Sequence, residues 1–195
     1  MKITPAETRA AEKIVAGAFA KLTGRAGEPL RYAIMTDTPV GPIGLAAGGS
    51  GLSRVVYTRD EDAFLARMLA EGDRPVMRSD ALDRARKALD RYFNGRRLDF
   101  DDIDVDLSEV SGFARRVLEE TARIPAGRFV TYGQIAAKAG NAKASRAAGN
   151  ALHHNPVAIV VPCHRILRSD GSLGGYGGGV SNKEWLLRHE GALMI

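Results

Sequence analysis

The chain of 195 residues holds one cysteine, which excludes an intramolecular disulfide and any zinc site built from several cysteines. That usage suits a reducing compartment. No apolar run approaches the ~18 residues of a membrane span, and Met1-Lys2-Ile3-Thr4-Pro5 lacks a secretion signal's apolar core. The expectation is a cytoplasmic protein with no membrane partner. Carboxylates crowd Asp99-Phe100-Asp101-Asp102-Ile103-Asp104-Val105-Asp106, but their alternation suits a solvated linker better than a cation loop, so no metal is expected. The run Gly174-Gly175-Tyr176-Gly177-Gly178-Gly179 lacks the Lys-Ser/Thr ending of a phosphate-binding loop. No cofactor is expected.

Acidic residues are missing from Thr121 to Ser169, where Arg123, Arg128, Lys138, Lys143, Arg146, Arg165 and Arg168 all lie. Residues 111–195 hold 11 Lys and Arg against 5 Asp and Glu, whereas residues 1–110 hold 17 against 18, so the formal charge of +5 belongs to the second half. A surface of one sign fits a polyanion, because phosphate contacts that release counterions supply most non-specific nucleic-acid affinity.

What is present otherwise is the composition of a globular protein, 45% hydrophobic and 26% charged, with length enough for a core. Thr4-Pro5-Ala6-Glu7 reads as a capping box opening a helix to Leu22, with Ile14, Val15, Ala18, Phe19 and Leu22 at helical spacing and Gly24 as its stop. Strands are expected over Arg31–Thr36, Ile43–Ala47 and Leu52–Thr58, as an antiparallel meander. Asp60 caps a helix to Ala70, and Ser79 caps another carrying Leu82, Ala85, Leu89 and Phe93, closed by Gly95. After Ser111 the pattern is helical, with Phe113, Val117, Leu118 and Ile124 on one face. A short strand, Arg128–Thr131, precedes helices over 132–139 and 142–153, a helix-turn-helix arrangement. The second of these carries Ala144, Ser145, Ala147, Ala148, Gly149 and Ala151 around one long cation, Arg146; so little bulk suits either close packing or approach to a groove. A final helix covers Lys183–His189, with Trp185, Leu186 and Leu187 inward.

Asn155-Pro156 ends the small-residue helix and begins an extended run through Val161 to Pro162-Cys163-His164-Arg165. A thiol reacts as its anion, and cationic or imidazole neighbours favour that anion. His164 and Arg165 are such neighbours in sequence, although a free cysteine is also a common apolar filler.

Pro162-Cys163-His164-Arg165, preceded by Asn155-Pro156 and followed by Lys183-Glu184-Trp185-Leu186-Leu187 and His189-Glu190-Gly191, closely resembles the O6-alkylguanine-DNA alkyltransferases. The resemblance is ordered from Ser111 to Gly191. It implies an α+β protein: residues 1–108 as a small ribonuclease-H-like domain of strands and helices, and residues 109–195 as a mainly helical helix-turn-helix domain. It also implies repair of DNA by one irreversible transfer of the alkyl group from O6-alkylguanine to Cys163, with O4-alkylthymine as a second candidate. By matching position, His164 corresponds to a base acting through a water, Glu190 to the carboxylate that orients it, and Asn155 to the residue holding the turn. Tyr132 corresponds to the tyrosine that crowds the target phosphate, and Arg146 to the arginine inserted where the base leaves. Ala144, Ser145 and Gly149 face the minor groove with it. The guanine pocket is expected from Tyr132, Val161, Tyr176, Gly177 and Gly178. Gly177 stands where some relatives carry a hydroxyl, which shifts leaving-group stabilisation towards Tyr132 and backbone N–H groups. His153 and His154 match no role, and the four-cysteine zinc domain of adaptive-response relatives is absent.

The partner implied is double-stranded DNA carrying the lesion, bound by a monomer that can cluster along it, in a bacterial-type cytoplasm at the nucleoid. Two rivals differ at definite positions. A non-enzymatic lesion binder of this scaffold replaces the acceptor cysteine, and a helix-turn-helix transcription factor carries base-edge donors on residues 142–153, which this chain nearly lacks.

The charge distribution sets a salt test. Affinity for undamaged duplex is expected to fall steeply as salt rises, with residues 1–108 alone lacking that slope. Fluorescence-anisotropy titrations from 50 to 200 mM salt, on the order used for such slopes, measure both; equal slopes would remove the second half as the DNA-facing part.

Overall fold

The computed structural model describes residues 4–23, 29–71 and 75–193. The capping box forms: Thr4 donates to Glu7 Oε2 from its N–H at 2.7 Å and its hydroxyl at 2.8 Å, and Glu7 N–H returns a bond to Thr4 Oγ1 at 3.3 Å. It opens α1, Pro5–Thr23. Ile14, expected on the apolar face, is 72% exposed, and α1 is tied to the next strand by Glu12 and Arg31 at 2.6 Å. Gly24 and the side chains of Phe19 and Leu22 lie outside the described residues.

The meander is β1 (Leu30–Met35), β2 (Ile43–Gly48) and β3 (Gly51–Tyr57), antiparallel throughout. A strand that the sequence reading missed, β4 (Val76–Arg78), runs parallel to β1 and completes the order β3-β2-β1-β4. Three residues leave too short a pattern to recognise. Between β3 and β4 lies α2 (Glu61–Glu71), capped by Asp60, whose carboxylate accepts from Ala63 N–H at 2.7 Å. Ser79 does not begin a helix directly: a 3-10 turn, Asp80–Leu82, comes first, and α3 runs Asp83–Phe93.

The sheet alternates as a two-sided layer should. Tyr32, Ala46 and Val56 pack with Phe64 and Met68 of α2 on one side. Ala33, Leu45 and Val55 enter the main core on the other, together with Leu89 and Tyr92 of α3. That main core continues without a break into the second half, through Val117, Leu118, Ile135, Ala148, Ile166 and Leu186.

The second half is α4 (Gly112–Ala122), β5 (Val130–Thr131), α5 (Tyr132–Lys138), α6 (Ser145–His153), β6 (Ile166–Leu167) and α7 (Val180–His189). Thr131 and Gln134 form a capping box at α5. Helix α6 begins at Ser145, three residues later than expected, because Asn141 turns the chain: its carbonyl accepts from Ala144 N–H at 3.0 Å and its side chain from Lys143 N–H at 3.2 Å. β5 and β6 pair in parallel. Trp185 is half-buried and stacks on His189 at 4.7 Å.

The free edge of β3 is closed by the second half and the acidic linker. Val55 N–H donates to Pro156 O at 2.9 Å and Val55 O accepts from Ala158 N–H at 3.0 Å, while Leu52 exchanges bonds with Asp104 O and Asp106 N–H. Such closure removes a row of unpaired donors and acceptors. The linker carboxylates are spent locally, Asp102 on Arg91 at 2.9 Å and Asp99 on Arg97 at 2.7 Å.

Gly44 is required by packing: a Cβ there would lie 2.1 Å from Cδ2 of Phe64, which is fully buried. Gly44→Ala is expected to cost about 1–3 kcal/mol by overpacking, lowering Tm by roughly 2–4 °C per kcal/mol in a chain of this size. Thermal unfolding followed by circular dichroism measures it, and an unchanged Tm would mean that Phe64 can move aside.

Candidate active site

The segment from Asn155 to Val161, expected to be extended, is a tight turn, and Cys163–Arg165 form one turn of 3-10 helix. The reason lies in Asn155. Its side-chain oxygen accepts from Val157 N–H at 3.0 Å, and its Nδ2 donates across the turn to Val161 O at 2.8 Å and to Cys163 Sγ at 3.2 Å. Ile159, at the turn's apex, has φ of 72°, alone among the described non-glycine residues in a positive-φ conformation, and is fully buried. Such backbone costs about 1–3 kcal/mol and persists where packing fixes it.

Behind the sulfur, Glu190 at the end of α7 collects a set of donors. Arg165 donates from Nε to Oε2 at 2.8 Å and from an Nη to Oε1 at 2.8 Å; His164 Nε2 lies 2.9 Å from Oε1; Tyr92 hydroxyl donates to Oε1 at 2.7 Å. Arg165 also reaches Ile124 O. Burial acts to raise the Glu190 carboxyl, but the bonds and charge of His164 and Arg165 outweigh it and hold it at about 2. Burial pushes His164 below its ordinary range. A neutral imidazole facing an ionised carboxylate must carry its proton on Nε2, which leaves the lone pair on Nδ1. Nδ1 is buried and has no hydrogen-bond partner among the described residues.

Cys163 Sγ therefore does not have the surroundings expected from sequence. Burial raises the thiol's pKa; the Asn155 bond and the charge of Lys183 pull it back. Arg165 contributes to Glu190 instead, and His164 turns its Nε2 there too. Lys183, on α7, is fully buried, with Nζ donating to Ile166 O at 2.5 Å and to Leu173 O. Burial pushes its amine down to about 8, against the opposing effect of negative charge on Cys163.

A pocket of about 80 Å³ lies at Cys163, lined also by Asn155, Ala158, Tyr176, Gly177 and Gly178 and, among others, by Val55, Tyr57, Leu152 and His153. By this measure it has room for several waters. Tyr176, Gly177 and Gly178 lie where expected. Val161 does not: its side chain is 1% exposed in the core, and it serves through its carbonyl. Tyr132 is half-buried at the start of α5 outside this pocket lining, with its ring beside Gly149 and its hydroxyl beside Gly174.

On α6 the small residues divide between two faces. Ala148, Ala151 and Leu152 are buried in the core, whereas Ser145, Arg146 and Ala147 are exposed and Ala144 and Gly149 are half-buried. Arg146, Arg128, Lys138, Lys143 and Arg168 are all exposed and form no ion pair with a described residue. Arg165 leaves this set, being 5% exposed and bound to Glu190.

The sequence reading missed Tyr92, Lys183 and Tyr57. A buried lysine in the first turns of α7 carries no local signal, and the two tyrosines come from the other half of the chain. His153, without an expected role, lines the pocket from the end of α6.

The family described as 6-O-methylguanine DNA methyltransferase, ribonuclease-like domain, matches residues 30–107, and its DNA binding domain matches residues 112–192. A methylated-DNA–protein-cysteine methyltransferase of Methanosarcina acetivorans is 39% identical over 162 residues, covering 83% of this chain and 98% of that one. The crystal structure of Mycobacterium tuberculosis O6-methylguanine methyltransferase is similar with a TM-score of 0.68 at 36% identity, covering 84% of this chain and 92% of that one. Another, of the Mycobacterium tuberculosis OGT in complex with DNA, has a TM-score of 0.69 at 34% identity, covering 83% and 92%.

The Glu190 network fixes an acid dependence. Glu190 and His164 both titrate below their ordinary values of 4.5 and 6.5, so the fold binds fewer protons than the unfolded chain. Their stabilisation is present above those values and lost as pH falls, His164's from 6.5 downward and Glu190's from 4.5 towards 2. Glu190→Gln is expected to cost about 3–5 kcal/mol at neutral pH, because Arg165 is left buried without its counter-charge, and to flatten the loss below pH 4.5. Denaturant unfolding across pH measures both; an equally steep acid dependence would assign it to other carboxylates.

Proposed function

Because the chain belongs to the 6-O-methylguanine DNA methyltransferase family, we infer how its own residues perform the family's reaction. The protein binds DNA and repairs alkyl damage by transferring the alkyl group to a cysteine. In our reading Cys163 is that acceptor, and the observation that carries it is a lone thiol lining a pocket, followed in the chain by a buried histidine whose tautomer a carboxylate fixes.

The step runs as follows. His164 Nδ1, through a water, takes the thiol proton; burial that raises the thiol's pKa makes this help necessary. The developing imidazolium is stabilised by Glu190, as Nε2–H···Oε1 becomes a charge-assisted bond. Asn155 and Lys183 favour the thiolate, which attacks the alkyl carbon. A sulfur–carbon bond forms as the carbon–O6 bond breaks, the electron pair goes to the guanine, and a proton equivalent to the one His164 took from the thiol restores the ordinary base and returns the imidazole to its neutral form. With glycine at 177, the donors for that leaving group are Tyr132 and backbone N–H groups.

An O6 atom inside a stacked duplex cannot meet the sulfur in line, so the nucleotide must rotate out at a cost of a few kcal/mol. Arg146, exposed on α6 between Ser145 and Ala147, fills the vacated stack from the minor groove, with Ala144, Ser145 and Gly149 admitting the helix to the groove. Tyr132 crowds the target phosphate. Residues 1–108 and 109–195 act as support and DNA-facing part, in a monomer that can cluster along DNA. O4-alkylthymine is the second substrate in this reading. The cytoplasm at the nucleoid is its setting, since the acceptor must stay reduced.

The test is stoichiometry. A thioether has no exchange route through a second thiol, and this chain has one cysteine. With excess O6-methylguanine duplex, transfer is expected to saturate at about one methyl group per protein, all on the Cys163 peptide by mass spectrometry. Cys163→Ser is expected to bind DNA and transfer nothing. Several repaired bases per protein, or repair with an unmodified peptide, would overturn the acceptor assignment.

A further inference from the structure

Tyr57 is the last residue of β3, in the half of the chain that carries no acceptor, yet its ring lies in the pocket wall with Cys163 and Tyr176. Its backbone is held from two residues away, where Val55 bonds to both Pro156 and Ala158. Its hydroxyl is 3.0 Å from the Tyr176 hydroxyl, and the two rings meet edge to face at 5.8 Å. The contact with the loop is so close that a Cβ on Gly178 would lie 2.3 Å from Cε2 of Tyr57. Asn182 adds a second tie, its Nδ2 donating to Val40 O at 2.8 Å and to Gly178 O at 2.9 Å. Burial raises both phenols above their ordinary range, so neither ionises near neutral pH and neither can act as a base there. A neutral phenol still hydrogen-bonds, here to Tyr176, and what the ring itself adds to the pocket is shape.

We propose that Tyr57 is a specificity-determining residue, a rigid wall supplied by the first half of the chain that limits the size of the alkyl group reaching Cys163. The proposal rests on the assignment of Cys163 as acceptor. The ring is hemmed in by β3 behind it and by Gly178 beside it, so a longer alkyl group cannot push it aside. Val55 and Leu152 line the same pocket, so space vacated by the ring would adjoin an apolar wall that suits a hydrocarbon chain. Each methylene accommodated in an apolar pocket is worth about 10–200-fold in selectivity.

Single-turnover transfer to Cys163 from duplexes carrying O6-methylguanine or O6-butylguanine tests it, in the parent, Tyr57→Phe and Tyr57→Leu. Tyr57→Leu is expected to raise the butyl-to-methyl rate ratio by about tenfold or more. Tyr57→Phe keeps the wall and loses the hydroxyl bond, so its ratio is expected to stay within about twofold of the parent while both rates fall together. Should Tyr57→Leu fail to fold by thermal unfolding, Tyr57→Met, unbranched and adaptable in cores, carries the same expectation. A folded Leu or Met variant with the parent's ratio would overturn the proposal while leaving the acceptor in place. A parent protein that methylates no cysteine would overturn both.

Discussion

A buried carboxylate must be paired, and in this protein the pairing of Glu190 organises everything behind the sulfur. Arg165 and His164 come from the turn that carries Cys163, Tyr92 from α3 and Glu190 from α7, so one negative charge joins three separate stretches of chain. The bonds and charge of His164 and Arg165 keep the carboxylate ionised at neutral pH, and an ionised carboxylate fixes the histidine tautomer. Neighbours in sequence thereby acquire opposite duties: Arg165 neutralises charge, whereas His164 stays neutral until a proton arrives.

The sulfur itself sits between two conflicting demands. Burial shelters it from solvent chemistry and shapes a pocket, but burial also disfavours the thiolate. Asn155 offsets part of that with a side-chain bond whose other branch holds the turn, so geometry and electrostatics come from one amide. Lys183 offsets a further, smaller part, and its own Nζ bonds to Ile166 O and Leu173 O brace the start of the pocket loop. Neither residue needs to touch the substrate.

Legibility in the sequence followed locality. The capping box at Thr4, the three meander strands and the helix after Asp60 all rest on near neighbours, and each formed within a residue or two of expectation. Cys163, His164, Asn155 and Glu190 were singled out through motif resemblance, and the structure pairs Asn155 with Cys163 and His164 with Glu190. Where a residue's role depends on distant chain, sequence misled or stayed silent. Arg165 looked like a neighbour for the thiol and is a partner of Glu190; Val161 looked like pocket wall and is core; Tyr57 and Tyr92 gave no sign of belonging to a site more than 90 residues away. The apparent extended run before the cysteine has strand-like composition, but Asn155 folds it back on itself.

The closure of the β3 edge by Pro156 and Ala158 has a consequence for biosynthesis. The first half of the chain leaves the ribosome with that edge bare and with Tyr92 lacking Glu190, which follows 98 residues later. At about 5–20 residues per second, several seconds separate the two. Through that interval Tyr92, and then His164 once it emerges, still wait for Glu190 at the end of α7. The network behind the thiol is thus completed only when α7 has emerged, and the first half must hold its edge and its Tyr92 hydroxyl in water until then.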